Sequence, residues 1–126
     1  MDESAIYLDS PSNYTYSQKG VRRVKASTAG GERTRLSSAF TAAANGHKLP
    51  IYTIIPRINN IPELDLIQNM LFNYKTQSTF DDSSILNYLE TIILPYMTSR
   101  SLERILLVID QATCHKTARV SNIFAV

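Results

Sequence analysis

The sequence predicts an α/β layered domain, and three observations lead to this prediction. The dipeptide Asn45-Gly46 separates two β-rich runs, residues 34–44 and 49–55, and is a strong hairpin signal because both central residues of a type I′ turn need positive φ. Between residues 85 and 96, apolar side chains recur at helical spacing. Residues 105–109 are apolar on both faces, as in a central strand that is covered on each side.

The composition indicates a small domain with an apolar core. The chain has 126 residues, of which 44% are hydrophobic. Its one cysteine, Cys114, excludes an internal disulfide framework and is typical of a reducing compartment. The sequence contains no apolar stretch of about 18 residues and no signal-peptide pattern. We therefore expect a soluble intracellular protein without a membrane partner.

The first half of the chain is expected to consist mostly of strands and loops. Residues 4–8 predict a short strand, and the turn-forming residues 9–13 end it. Residues 14–31 are typical of a loop, with bends at the glycines. Residues 57–80 predict irregular structure with one short helix starting at Pro62, since proline is favoured in the first helical turn. Within this stretch, Asn73 to Thr79 could equally be extended.

The second half predicts a helix and then a strand. Asp82 is the expected N-cap, and the apolar stripe is the core face of the helix. Pro95 lacks a backbone donor and is expected to end or bend the helix near Leu94. The strand at 105–109 follows, and a further helix is expected to begin near Lys116. The stripe consists of Ile85, Leu86, Leu89, Ile92, Ile93 and Tyr96.

The basic residues are concentrated in one segment. Net charge is only +2, but residues 16–35 contain six basic residues against one acid. Such a segment can contact phosphates or can form a solvated loop and strand face, and both interpretations remain open. Tyr14 and Tyr16 accompany the cations, a mixture that can bind single-stranded nucleic acid. The cations nearest these tyrosines are Lys19, Arg22, Arg23 and Lys25.

Two aspartates adjoin apolar strands that are far apart in sequence. Asp110 closes the run 104–110, and Asp2 stands just before the strand predicted at 4–8. A carboxylate in such a position is costly unless it lies at a sheet edge, is paired, or binds a cation. The pair therefore suggests a site for a divalent metal ion.

Three residues near these aspartates carry weaker signals. Glu3 follows Asp2 and points to the opposite face of a strand, so we expect a surface acid. Cys114 and His115 are adjacent but lack the second ligand pair of a structural zinc site. His115 either borders the acidic site, contacts DNA, or is an ordinary loop histidine.

Several local patterns resemble segments of one known enzyme family. They occur in the family's order and span nearly the whole chain. The start Met1-Asp2-Glu3-Ser4 is similar to the "MDET" opening of the family's catalytic core, and Asp110-Gln111-Ala112-Thr113-Cys114-His115 is similar to its "D-N-A-x-x-H" segment. The other similar segments are residues 9–15 ("PSNYT"), 19–20 ("KG"), 28–35 ("T-x-G-G-E-K/R"), 44–50 ("A-x-G-x-K-L-P") and 93–96 (the helix end). Together these segments resemble the pogo/Tigger-type DDE transposases of the mariner-like superfamily.

The resemblance implies a partial ribonuclease-H-like fold, a mixed sheet with an antiparallel hairpin and a flanking helix. It also implies metal-dependent cutting and joining of DNA strands in the complete parent enzyme. Asp2 and Asp110 would be the first two catalytic and metal-ligating acids, with Mg²⁺ or Mn²⁺ as cofactor. DNA would be the partner, contacted by Lys19, Arg22, Arg23, Lys25 and His115, and the location would be nuclear.

The chain also departs from this family. The family's third acid lies downstream, whereas residues 111–126 contain neither Asp nor Glu, and the preceding helix-turn-helix region is missing. We therefore expect residues 1–126 to be one incomplete DDE endonuclease domain, without a second domain, and to show little or no cleavage. Two alternatives remain open, a domesticated non-catalytic DNA-binding or chromatin module and a fragment that does not fold alone. The oligomeric state and the DNA target are undetermined.

Overall fold

Four β-strands form one mixed sheet in the computed structural model. The structure describes residues 1–8, 16, 19–21 and 34–124, with residues 123 and 124 described by their backbone only. They are β1 (Asp2–Tyr7), β2 (Arg35–Phe40), β3 (Ile51–Pro56) and β4 (Met70–Lys75), and they lie in this order across the sheet. β1 pairs with β2 and β2 with β3 in antiparallel fashion, whereas β3 and β4 are parallel. The predicted α/β class, with a mixed sheet, a hairpin and a flanking helix, is confirmed.

The β2–β3 hairpin is present, but its loop differs from the expected type I′ turn. The Gly46 amide donates to the Ala43 carbonyl at 2.9 Å, and the Ala43 amide donates to the His47 carbonyl at 2.8 Å. Gly46 has a φ of 85°, whereas Asn45 does not adopt positive φ. Instead, Asn45 Oδ1 accepts a hydrogen bond from the His47 amide at 3.0 Å. The arrangement is that of a longer loop that ends in a left-handed glycine.

The segment expected to be irregular contains both the predicted short helix and a strand, whose end overlaps the residues that were left open as extended. The helix is a 3₁₀ turn, Pro62–Leu66, with its proline at the start. The strand is β4, which starts earlier, at Met70, and whose Asn73 and Lys75 are polar and do not suggest a half-buried strand. Both side chains find partners, since Asn73 Nδ2 donates to the Tyr52 hydroxyl at 2.7 Å and Lys75 pairs with Asp81.

The predicted helix begins with Asp81 as its N-cap rather than Asp82, and Pro95 does not end it. It comprises α1 (Asp82–Tyr88), a π-helical segment (Leu89–Ile93) and α2 (Leu94–Ser99). The π-helical segment lies directly before Pro95, and the Leu94 amide donates to the Leu89 carbonyl. Proline lacks an N–H and crowds the carbonyl four residues earlier, and the wider π turn accommodates both effects.

The prediction of a strand at residues 105–109 is wrong. These residues belong to no strand of the sheet, and Leu106 and Val108 are 91% and 72% exposed. One backbone bond joins the run to β1, from the Met1 amino group to the Val108 carbonyl at 2.8 Å. Within the described residues, β1 pairs with β2 alone. Leu107 is the member that packs against the core.

The core lies between the sheet and the helical stripe, as predicted from the spacing of the apolar residues. A third helix, α3 (Ala118–Phe124), begins near the expected Lys116 and contributes Val120. Leu86 and Tyr96 of the stripe are only partly buried. None of the described helices is long and apolar enough to cross a membrane. The buried core residues are Ala39, Leu49, Tyr52, Ile54, Ile85, Tyr88, Leu89, Ile92, Ile93 and Val120.

Candidate catalytic site

A buried histidine brings two acids together beside the start of β1. His115 belongs to a 3₁₀ turn, Thr113–His115, and its side chain is 2% exposed. Its Nε2 lies 2.7 Å from Glu3 Oε1, and its Nδ1 lies 2.9 Å from Asp110 Oδ1. Ligand atoms of these three residues all fall within 4.8 Å of one another. Glu3 and His115 are 112 positions apart, so this cluster depends on the tertiary fold.

β1 decides which of its two acids joins the cluster. Asp2 lies opposite Phe40 in the register with β2, and Glu3 lies opposite Ala39. Because side chains alternate along a strand, the two acids point to opposite faces. Glu3, expected to be a surface acid, is only 17% exposed and belongs to the cluster. Asp2 is exposed and is not a member of it.

The Asp110 carboxylate is oriented through one of its oxygens. Oδ1 accepts from the Ala112 amide at 3.0 Å and also lies 2.9 Å from His115 Nδ1. The side chain is 58% exposed. Among the described residues, Oδ2 takes part in no hydrogen bond, so this oxygen remains available to a ligand from solvent.

The surroundings of His115 favour its protonated form. Burial opposes a charge on the ring, but the hydrogen bonds with the Asp110 carbonyl and the Glu3 carboxylate outweigh it and raise the pKa of His115. The Nδ1–carbonyl distance is 3.1 Å, so both ring nitrogens face acceptor oxygens. A ring that donates at both nitrogens is an imidazolium.

A small cleft adjoins the cluster on the Glu3 side. Its volume is about 220 Å³, and Arg35 and Cys114 are among the residues that line it. The Arg35 guanidinium donates to Thr79 Oγ1 at 3.3 Å. Burial and the nearby Glu3 carboxylate raise the pKa of the Cys114 thiol, which therefore stays protonated and is a poor nucleophile.

Comparison with known proteins identifies the family. The family described as DDE superfamily endonuclease matches residues 33–126, which is most of the chain. The chain belongs to the DDE superfamily endonucleases. The predicted resemblance to pogo-like DDE enzymes is thus confirmed. No solved structure is significantly similar to the chain.

A curated relative of this DDE domain is a mouse protein. It is described as "Pogo transposable element with KRAB domain" (Mus musculus), and it is 26% identical over 121 residues, which cover 96% of this chain. The aligned region is 20% of that protein, so the chain spans about a fifth of the length of this relative.

The donor atoms of the DDE domain fit an oxygen-bound divalent ion better than a nitrogen-bound one. Endonucleases of this superfamily generally use divalent metal ions. Both ring nitrogens of His115 face acceptor oxygens, so the imidazole offers no lone pair while those bonds remain. The carboxylates of Asp110 and of an acid on β1 are the available ligands, and Mg²⁺ and Mn²⁺ accept carboxylate oxygen.

Of the residues predicted to contact DNA, two are described in the structure of the DDE domain. Lys19 is exposed, and His115 is buried in the cluster, where it contacts acids. Arg22, Arg23 and Lys25 lie outside the described residues. Arg35 was counted among the basic residues of the segment 16–35 but was not named as a DNA contact.

Proposed function

We propose that this chain is a core fragment of a transposon-derived DDE nuclease, which binds DNA and carries out metal-dependent phosphodiester chemistry in the complete protein. A partial ribonuclease-H-like fold belongs to this proposal. The antiparallel arrangement of β1, β2 and β3, with acids at the start of the edge strand, supports it. Nuclear residence is proposed from the family and from the pogo-type relative.

The observation that carries the proposal is the hydrogen bond from the Met1 amino group to the Val108 carbonyl. This bond brings the segment that ends in Asp110 beside the start of β1, where Asp2 lies. Their proximity supports Asp2 and Asp110 as the catalytic and metal-ligating acids.

The proposed chemistry follows from these two acids and from the Arg35 guanidinium. A bound Mg²⁺ or Mn²⁺ supplies activation of the attacking oxygen and stabilisation of the leaving oxygen. Asp110 offers Oδ2 to the ion while its Oδ1 is fixed by Ala112 and His115. Arg35, in the cleft next to Glu3, is placed to contact a phosphate of the DNA backbone.

Metal binding provides the direct test. Mn²⁺ is titrated into the protein, and the unbound ion is measured by electron paramagnetic resonance. We expect Asp2→Asn and Asp110→Asn each to raise the Kd at least about tenfold, because each removes a charged ligand. Asp65→Asn, which alters an exposed acid of the 3₁₀ turn Pro62–Leu66, is the matched control and should leave the Kd for Mn²⁺ unchanged. Wild-type affinity in both ligand variants would overturn the proposal.

DNA binding separates the nuclease from the alternative of a non-catalytic DNA-binding or chromatin module. We expect Arg35→Gln to weaken binding to a DNA duplex and to reduce its salt dependence, because one phosphate contact is lost. DNA binding that does not depend on Mn²⁺ and is unchanged in Asp2→Asn and Asp110→Asn would favour the non-catalytic module.

A further inference from the structure

His115 is a buried histidine whose two ring nitrogens each contact an acidic residue. Its Nε2 is hydrogen-bonded to Glu3 Oε1 at 2.7 Å, and its Nδ1 is hydrogen-bonded to the Asp110 carbonyl at 3.1 Å and forms an ion pair with Asp110 Oδ1 at 2.9 Å. A buried ring with bonds at both nitrogens has one allowed orientation, since turning it breaks both bonds. The histidine therefore fixes the distance between the start of β1 and the Asp110 carboxylate.

We propose that His115 is a positioning residue, which joins Glu3 to Asp110 and orients the Asp110 carboxylate for metal binding. The inference rests on the proposed function, because Asp110 is the proposed ligand. Glu3 is in this view the anchor of the histidine and not itself a ligand. Neither residue needs to touch DNA or the reacting phosphate.

The local structure explains why such a residue is needed. Among the described residues, residues 104–110 form no ladder with the sheet, and the Met1–Val108 bond is the backbone contact that joins them to β1. An aspartate that is 58% exposed and follows such a segment would otherwise sample several orientations. The His115 bridge supplies a second connection to β1, at the side chain itself, and leaves Oδ2 free.

Two amide variants separate the ends of the bridge. Asparagine places its amide nitrogen near the Nδ1 position, so His115→Asn can keep the bond to Asp110 but loses Glu3. Glutamine reaches the Nε2 position, so His115→Gln can keep the bond to Glu3 but loses Asp110. Because the bridge needs both ends, we expect each variant to raise the Kd for Mn²⁺ about tenfold, the usual cost of losing an orienting partner of a ligand. His47→Gln, at the exposed second histidine, is the matched control and should leave the Kd unchanged.

Variants at Glu3 distinguish an anchor from a ligand. Glu3→Gln keeps an acceptor oxygen for His115 Nε2, so we expect a Kd for Mn²⁺ within about twofold of wild type. Glu3→Ala removes the anchor and should match the loss seen in His115→Asn. If Glu3→Gln loses as much affinity as Glu3→Ala, the Glu3 charge itself binds the ion and the inference is wrong. Wild-type affinity in both His115 variants would also overturn it.

A metal-free measurement keeps this inference separate from the proposed function. The Ala112 amide donates to Asp110 Oδ1, so its hydrogen exchange reports the orientation of that carboxylate. We expect faster exchange at Ala112 in His115→Gln than in wild type, and unchanged exchange in Glu3→Gln. If the wild-type protein fails to bind Mn²⁺ but Ala112 behaves as expected, the proposed metal chemistry fails and the positioning role stands. If the exchange rate of the Ala112 amide is unchanged in His115→Gln, the positioning role is wrong, whatever the result for Mn²⁺ binding.

Discussion

At the scale of single residues, Asp81 is tied into the structure by several interactions at the start of α1. Its carboxylate accepts from the Ser84 amide at 2.9 Å and the Ser83 hydroxyl at 2.7 Å, and it pairs with Lys75 of β4. Burial opposes the charged form, but the Lys75 ammonium and the serine donors outweigh it and hold the pKa of Asp81 well below its ordinary value. One side chain thus caps the helix and connects it to the sheet.

The low pKa of Asp81 predicts how stability changes in acid. The contribution of a group with a lowered folded pKa is fully present above its unfolded pKa, about 3.9, and is lost as the pH falls through the folded pKa. Asp81→Asn keeps the capping oxygen and removes the charge. We expect the free energy of unfolding of wild type to exceed that of Asp81→Asn by more at pH 7 than at pH 3, measured in urea. A difference independent of pH would contradict this explanation.

Loss of the cap itself is a separate prediction. Asp81→Ala removes the hydrogen bond to the Ser84 amide as well as the charge, and N-cap substitutions of this kind cost about 1 kcal/mol. We expect Asp81→Ala to be less stable than Asp81→Asn by about that amount at pH 7 in urea denaturation. Equal stability of the two variants would show that the cap contributes nothing beyond the charge.

The acids of the site show how far single residues could be predicted from the sequence. Asp110 was singled out because an apolar run that ends in an acid is costly without a partner, and the structure gives it His115 as a partner. Glu3 was expected to be a surface acid, but the segment that bears His115 covers it. No local pattern encodes that placement, because the contact spans 112 positions.

At the scale of elements, the hairpin loop depends on the backbone of one glycine. Gly46 adopts a φ of 85°, and an added Cβ would meet no atom within 4 Å. The cost of Gly46→Ala is therefore backbone strain alone, about 1 kcal/mol. We expect Gly46→Asn to cost less, because asparagine tolerates this conformation. Denaturation in urea measures both, and equal losses in the two variants would contradict the strain argument.

The helices and strands were predictable where a period repeats over several turns and not where side chains find distant partners. The stripe from Ile85 to Tyr96 predicted its helix because the pattern is long. The sequence did not settle β4 as a strand, because Asn73 and Lys75 are polar and their partners Tyr52 and Asp81 lie elsewhere in the chain. The effect of Pro95 was anticipated only as an end or a bend, since a π turn has no sequence signal of its own.

At the scale of the whole molecule, one apolar run has side chains that the described part of the chain leaves exposed. Residues 105–109 are apolar, yet Leu106 and Val108 are largely exposed. The class of the fold could be predicted, because it depends on local patterns. The environment of this run could not, since an apolar strand pattern does not indicate whether a second layer covers it.

The uncovered run predicts self-association at high protein concentration. Leu106→Lys should reduce concentration-dependent light scattering and change the free energy of unfolding by less than about 0.5 kcal/mol, because the side chain is solvated. Leu107→Lys is the matched change one residue further on, at a side chain that packs against the core. We expect it to destabilise the fold by about 1 kcal/mol or more. Equal stability of the two variants would show that the run has no inner face.

The hydrogen bond between the Met1 amine and Val108 has a practical consequence for preparing this protein. An affinity tag joined ahead of Met1 replaces the ammonium by an amide, which retains one N–H and can still donate to the same carbonyl. A polyhistidine tag at that end would nevertheless start a few ångströms from Asp2, and its imidazoles would chelate Mn²⁺ themselves. Titrations should therefore use protein from which such a tag has been cleaved.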